Sequence, residues 1–470
     1  MTEAENQREA GERAKGGTPL PRPRPLSRPA AWWAWPLIVV SLALVIASVV
    51  QPSLIDAEQG ESGAEPSRGN ATGLVMLRFQ AKVIIGSATI ASSQVERDLR
   101  QLWDRSTEPE ERAALALVAS FLKAEAFPDS AMEKHWADLA PERRELLQQA
   151  LTDGVTEAER AELETWLGWF ARLAPGPGLT EPEGAGEIRR EATVAMVTAG
   201  LLILAGGGAW FLGAGLLGYY ILVKRKEVDF HAYRPEQSAP GVLLESFALY
   251  LGFMAAGEVL TYWHHIWQIV GFCMALVFPL LWPRIRGVRW RELAAAVGWT
   301  RGRGFWREAG AGVVGYLVLL AMASGGVAVT LMLSEAAEFG RSWAQGASGE
   351  TPPMGPQEHP IVGFLVEGNW SMRVALLLLA VVYAPLVEEI FFRGGLQGYL
   401  RSRWRFVGSA LLTGVIFAAL HPQGLWGIPA LASISFALSL LREWRGSLIA
   451  PMVAHALNNG VITGLLLIAL

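Results

Sequence analysis

Three short polar motifs interrupt apolar helices near the end of this chain. In Val381–Leu400, VVYAPLVEEIFFRGGLQGYL, Glu388 and Glu389 stand side by side and Arg393 follows one helical turn after the second. In LLTGVIFAALHPQG, Phe417 precedes His421 by four residues, and in IAPMVAHALNNGVITGLLL His455 precedes Asn459 by four. A spacing of four puts both members of a pair on one helix face. Arg393 can therefore reach back to Glu389, while Glu388 points about 100° away and stays available. A charge at bilayer depth costs roughly 2.5–3.5 kcal/mol, so such residues mark function rather than filler.

One carboxylate, two imidazoles and a carboxamide converging from three helices suit the water-mediated hydrolysis of an amide. The carboxylate acts as general base and an imidazole orients the water. A second imidazole and the amide donate to the developing oxyanion, at about 2.7–4 kcal/mol per donor. Glu388, His421 and His455 also make a donor set for a divalent metal, zinc in particular, because catalytic zinc is held by His and carboxylate with one position open. Both versions stand at this level. Taken singly, an EE pair at a helix end is an interfacial salt bridge and a membrane histidine is a packed residue. Their joint occurrence in this order is what argues for chemistry.

The elements that must position these groups are membrane helices. The chain has 470 residues, 51% of them apolar and 10% aromatic, and a mean hydropathy of +0.28, which predicts an all-α, polytopic transmembrane bundle with a small soluble helical insertion. A net charge of −4 argues for no nucleic-acid partner. The one cysteine, Cys273, excludes an intramolecular disulfide and a thiolate cluster and is expected to pack in the core.

In chain order, residues 1–30 are Pro/Arg-rich and read as a disordered cytoplasmic tail. Residues 31–50 form a first transmembrane anchor, uncleaved because its apolar run is longer than a signal-peptide core and no A-x-A site follows. Residues 51–190 are acidic and helical, with T-x-x-E capping boxes at Thr107/Glu110 and Thr156/Glu159 and a first-turn Pro141. They predict a soluble extracytoplasmic domain. Residues 191–239 supply a second span and a basic cytoplasmic loop, and 240–470 the core that carries the three motifs.

About nine spans are expected, at 32–50, 193–222, 240–262, 266–283, 310–333, 372–392, 407–421, 424–441 and 447–469. With the N-terminus cytoplasmic, Lys224 to Lys226, the arginines of 284–307, Arg401 to Arg405, and Arg442 with Arg445 all fall on the inner side. This describes a multi-pass protein of the cell membrane. Glu245 and Glu258 are expected in helix packing, His264 and His265 in an aromatic belt, and His135, His231 and His359 away from any site.

The residues resemble the CPBP family, the CAAX protease and bacteriocin-processing (Abi) intramembrane endopeptidases. The likeness rests on Glu388, Glu389 and Arg393, on Phe417 and His421, and on His455 with Asn459, and extends over roughly 241–470. It implies that Glu388 activates water with help from His421, that Glu389 and Arg393 support it, and that His455 and Asn459 stabilise the oxyanion. The mechanism it implies is either that of a metalloprotease or that of a glutamate protease. A site open to the cytosol and a substrate that is a membrane-associated protein or peptide at the bilayer follow from the same likeness. Asn458 competes with Asn459, which the spacing favours, and Pro422 ends the helix that carries His421. The first span and the 51–190 insertion lie outside the likeness. Two other readings use the same residues: a non-catalytic scaffold or immunity-type protein binding through the insertion, and a proton-coupled transporter, for which no inverted repeat is present.

Overall fold

The computed structural model describes residues 31–58, 68–88, 90–106, 108–124, 136, 139–224, 241–261, 263–264, 266–345, 363–365 and 368–469. The expected tail at 1–30, Thr107, His135, His231, His265, His359, Arg225 and Lys226 lie outside them. Among the described residues there is no strand. The helices are α1 (Ala34–Glu58), α2 (Arg68–Ser87), α3 (Ser92–Arg105), α4 (Pro109–Leu122), α5 (Pro141–Thr152), α6 (Glu157–Leu167), α7 (Ala185–Tyr219), α8 (Gly241–Leu260) and α9 (Ile266–Ile285). They continue as α10 (Trp290–Val297), α11 (Phe305–Gln345), α12 (Trp370–Arg401), α13 (Phe406–Ala419), α14 (Ile428–Arg445) and α15 (Ile449–Ala469).

Among the described residues seven helices are long and apolar enough to cross a membrane, and Ala34–Ala47 and Phe406–Ala419 are shorter apolar helices. All nine expected apolar segments are thus helical, but they are unequal. At 14 residues, α13 is about 21 Å long, against a hydrocarbon core of about 30 Å. Pro422 and Gly424, the latter at φ +67°, turn the chain before a full span is completed.

Side chains on α7 such as Ile203, Leu204 and Phe211 are more than 70% exposed, a surface that only lipid can solvate. The chain is a multi-pass membrane protein. Cys273 departs from expectation, because it faces outward on α9 instead of packing in the core. A thiol there is a small apolar group facing lipid, which satisfies it as well as a protein neighbour would.

Close helix crossings depend on small residues. A methyl group on Gly271 of α9 would come 2.5 Å from the Cα of Gly257 on α8, and one on Gly326 of α11 would meet Ser433 Oγ of α14 at 2.3 Å. Ion pairs then fix which helix ends lie together. Arg286 Nε reaches Glu245 Oε2 at 3.0 Å, and the same carboxylate accepts from Trp282 Nε1 at 2.7 Å and from the Ala31 N–H at 2.9 Å. Arg445 grips both oxygens of Glu308 at 2.8 Å, and Arg401 grips Glu443 at 2.6–3.2 Å. Every one of these pairs sits at the end of the bundle where α8 and α11 begin and α9, α12 and α14 finish. Glu245 is a packing residue, and Glu258 accepts from Gln268 Nε2 at 3.2 Å. His264 Nδ1 accepts from the Ile266 N–H.

Helices α2 to α6 bury a common apolar core that includes Leu99, Leu115, Leu147, Leu163 and Phe170. That core continues into Ile188 and Ala192, so α7 starts at Ala185 and runs unbroken across the boundary expected at 190/191. The Thr156/Glu159 capping box forms and Pro141 opens α5. Helix α4 instead begins at Pro109 with Glu108 before it.

The Glu308–Arg445 pair generates a stability prediction. Glu308→Leu strands a guanidinium whose side chain is 8% exposed, at a cost of about 3–5 kcal/mol. Thermal unfolding in detergent should show a large drop for the single variant and recovery of most of it in Glu308→Leu/Arg445→Met. A double variant no more stable than the single one would contradict this.

Candidate active site

Helix α12 is not a regular α-helix. It widens to π geometry over Leu379–Tyr383 and again over Glu389–Leu396, a feature that concentrates at functional sites. The first widening has a local cause. The Ala384 N–H bonds the Leu379 carbonyl, five residues back. The next donor in that register is Pro385, which has no N–H to offer the Ala380 carbonyl. Asn459 Nδ2 on α15 supplies the missing donor at 2.9 Å.

Both carboxylates stand at the start of the second widening. Glu389 and Arg393 are wholly buried, and Arg393 Nη1 donates to Glu389 Oε1 at 2.9 Å. The same oxygen is 2.9 Å from His455 Nδ1. Arg393 has more donors than one carboxylate can use, and its Nη2 donates to Ser435 Oγ at 2.9 Å and to the Ser435 carbonyl at 3.2 Å. Glu388 takes no part in this clamp. Its Oε2 is shielded from solvent, receives no hydrogen bond from the described residues, and lies 3.8 Å from His455 Nε2.

Phe417 forms the floor. The Arg393 guanidinium lies 5.0 Å from its ring centroid, and His421 and His455 lie 4.4 and 6.0 Å from it. Phe392 meets its edge at 5.1 Å, while Tyr250 of α8 stacks on Phe391 at 4.4 Å. His421 Nδ1 bonds the Phe417 carbonyl at 2.7 Å. With Nδ1 as the donor, Nε2 carries the lone pair.

From the end bearing the ion pairs, Arg393 is about 12 Å along α12, His455 about 9 Å along α15 and Phe417 about 16 Å along α13. His421 follows the last turn of α13, where the chain leaves helical geometry, and its ring is held back toward that helix by the Phe417 carbonyl.

The structure thus brings together Glu388, Glu389, Arg393, His455, Phe417 and His421. Asn459 is placed differently from an oxyanion donor, with one amide hydrogen on the Ala380 carbonyl and its oxygen accepting from Asn458 Nδ2 at 3.3 Å. Among the described residues no three His, Cys, Asp or Glu side chains are grouped to hold a metal ion. Of the three residues whose types allow zinc, Glu388 and His455 face each other at 3.8 Å, and His421 packs against the Phe417 ring that His455 also meets. Ser435 escaped the sequence reading. The surplus of donors on a buried Arg393 was the signal for it.

Residues 370–461 match the family described as type II CAAX prenyl endopeptidase Rce1-like. The chain is 36% identical over 92 residues to the uncharacterized protein YpbD of Bacillus subtilis, covering 19% of this chain and 43% of that protein. It is 33% identical over 97 residues to an uncharacterized 24.3 kDa protein of Escherichia coli, covering 19% of this chain and 45% of that protein. The chain thus spans less than half the length of these relatives. No solved structure matches it.

The Pro385–Asn459 relation can be tested by a double-mutant cycle. Asn459→Ala leaves the Ala380 carbonyl without its donor and should cost about 1–3 kcal/mol. Pro385→Ala restores a backbone N–H, so Asn459→Ala should be less damaging in that background when both are followed by thermal unfolding. Strictly additive losses would show that Asn459 does not replace that hydrogen bond.

Proposed function

We infer that this chain, whose residues 370–461 are a domain of the CAAX protease family, is an intramembrane endopeptidase hydrolysing a peptide bond in a membrane-associated protein or peptide, by CAAX-type or leader-type processing. The observation that carries the reading is the division of labour between the adjacent carboxylates. Glu389 is wholly buried and holds Arg393 and His455 through its Oε1, while Glu388 is partly exposed, has neither partner, and presents Oε2 3.8 Å from the same imidazole.

In this reading Glu388 is the general base that takes a proton from water. His421, with Nδ1 committed to the Phe417 carbonyl, accepts from that water through Nε2 and holds it toward the scissile carbonyl. His455 donates through Nδ1 to Glu389, and when Nε2 is also protonated that N–H serves the developing oxyanion. Glu389 and Arg393 set the ring plane of His455 and are positioning residues. Asn459 positions α12 through the Ala380 carbonyl. The proton on Glu388 then passes to the leaving amine, which completes hydrolysis without a covalent intermediate.

The same reading assigns nine crossings of the cell membrane with a cytoplasmic N-terminus. Two of the crossings are short, and residues 51–190 form an extracytoplasmic helical domain ahead of a second span and basic loop at 191–239. The ion-paired end of the bundle is then cytoplasmic and the site lies in the cytoplasmic half, within reach of a substrate entering from that side.

Replacing Glu388 by Gln keeps size and polarity but removes the base, and turnover should fall by about 100- to 10,000-fold. The measurement is a comparison of new protein termini in membranes of cells expressing wild type, Glu388→Gln or His421→Ala at matched, folded levels. A set of termini lost in both variants identifies the substrates. Identical profiles from folded proteins would sink the protease reading in favour of a scaffold.

A further inference from the structure

The segment between α9 and α11 runs from the end of one membrane-spanning helix at Ile285 to the start of the next at Phe305, so it lies where the bilayer meets water. Residues 284–307 contain seven arginines and a single glutamate, Glu292. Glu292 is taken up by Arg289. Arg291, Arg301 and Arg307 are exposed and have no carboxylate partner among the described residues. Beside them Trp290 is 51% exposed and Trp306 83% exposed. Guanidinium groups and tryptophan rings at an interface match phosphate esters and the headgroup region.

The inner face of the same segment meets the site. Val297 at the end of α10 packs on Gly394 of α12, where a methyl group would come 2.8 Å from the Val297 Cβ. The Gly298 carbonyl accepts from the Leu448 N–H at 2.9 Å, at the head of the helix that carries His455. Ser447 Oγ donates to the Thr300 carbonyl at 2.7 Å, and Arg442 Nη2 donates to the Val297 carbonyl at 3.2 Å. One short helix and the turn after it therefore tie together α12, which holds Glu389 and Arg393, α14, and the start of α15.

We propose that α10 and the turn that follows it are a docking surface for anionic phospholipid headgroups, and that headgroup binding there holds the catalytic helices α12 and α15 in register. Charge complementarity selects the occupant: the surface is basic, aromatic and fixed at headgroup level by the spans on either side. The proposal goes beyond proteolysis, and its test reads no cleavage.

Two measurements test it on the full chain. In neutral detergent, native mass spectrometry compares phosphatidylglycerol with phosphatidylcholine for wild type, for Arg291→Gln/Arg301→Gln/Arg307→Gln, and for the exposed control Arg100→Gln. At roughly a five-fold effect per guanidinium, the triple variant should bind phosphatidylglycerol about 100-fold more weakly, with the control unchanged. In nanodiscs, hydrogen exchange at residues 446–452 and 390–397 should slow roughly five-fold when phosphatidylglycerol is added to phosphatidylcholine, and raised salt should abolish the effect in wild type itself. The salt arm keeps the test decisive if the triple variant does not fold. Equal binding of the two lipids, or preferential capture of an added oligonucleotide, overturns the docking surface. Selective lipid binding with unchanged exchange overturns the coupling.

Discussion

The structure depends on a buried positive charge that has to be kept satisfied in a membrane. Arg393 is completely removed from solvent, and an unpaired guanidinium there would cost several kcal/mol. Glu389 supplies the counter-charge at 2.9 Å, Ser435 takes further donors from α14, and the Phe417 ring lies under the guanidinium plane. Satisfying one residue thereby fixes two other helices, α13 and α14, relative to α12. The same Glu389 oxygen then orients His455 from a fourth helix, at 2.9 Å. Partly satisfied buried networks are costly, so the geometry that stabilises Arg393 also leaves little freedom to the imidazole.

That arrangement requires irregular backbone inside an apolar environment, where every unsatisfied carbonyl is penalised. Helix α12 widens twice, and the first widening would leave the Ala380 carbonyl unpaired opposite Pro385. A side chain from α15 fills the gap. Here α12 and α15 are joined by the repair of a defect. A proline normally costs a helix about 3 kcal/mol, and in this position the cost becomes a specific interhelical contact.

Much of this was legible in the residues. The i,i+4 spacing of Glu389 and Arg393 dictates the ion pair that they form, and the separate direction of Glu388 follows from the rotation of about 100° per residue. The Thr156/Glu159 capping box and the first-turn Pro141 formed as their residue types demand. Long-range matters were harder. His455 reads equally as an oxyanion donor, a metal ligand or a packed residue, because its Nδ1 partner lies 66 positions away in sequence. Asn459 has a carboxamide suited to an oxyanion, yet its donor is directed at a carbonyl that only the register of α12 exposes. Cys273 belongs to an apolar run, and composition could not say which side of α9 faces lipid.

Sequence alone determined that this chain is helical and crosses the membrane many times, and which polar side chains of its last 90 or so residues stand on apolar helices. Those properties follow from hydropathy, from helical periodicity and from the expense of charge in lipid, all of which act locally along the chain. Tertiary structure alone decided that Arg393 and His455 share one oxygen of Glu389 while Glu388 stays outside that clamp, that α13 stops at Ala419 just before His421, and that Asn459 donates to the Ala380 carbonyl. Each of these depends on where one helix stops or which carbonyl a neighbour leaves open. Such contacts join residues far apart in the chain, and no local pattern encodes their distances.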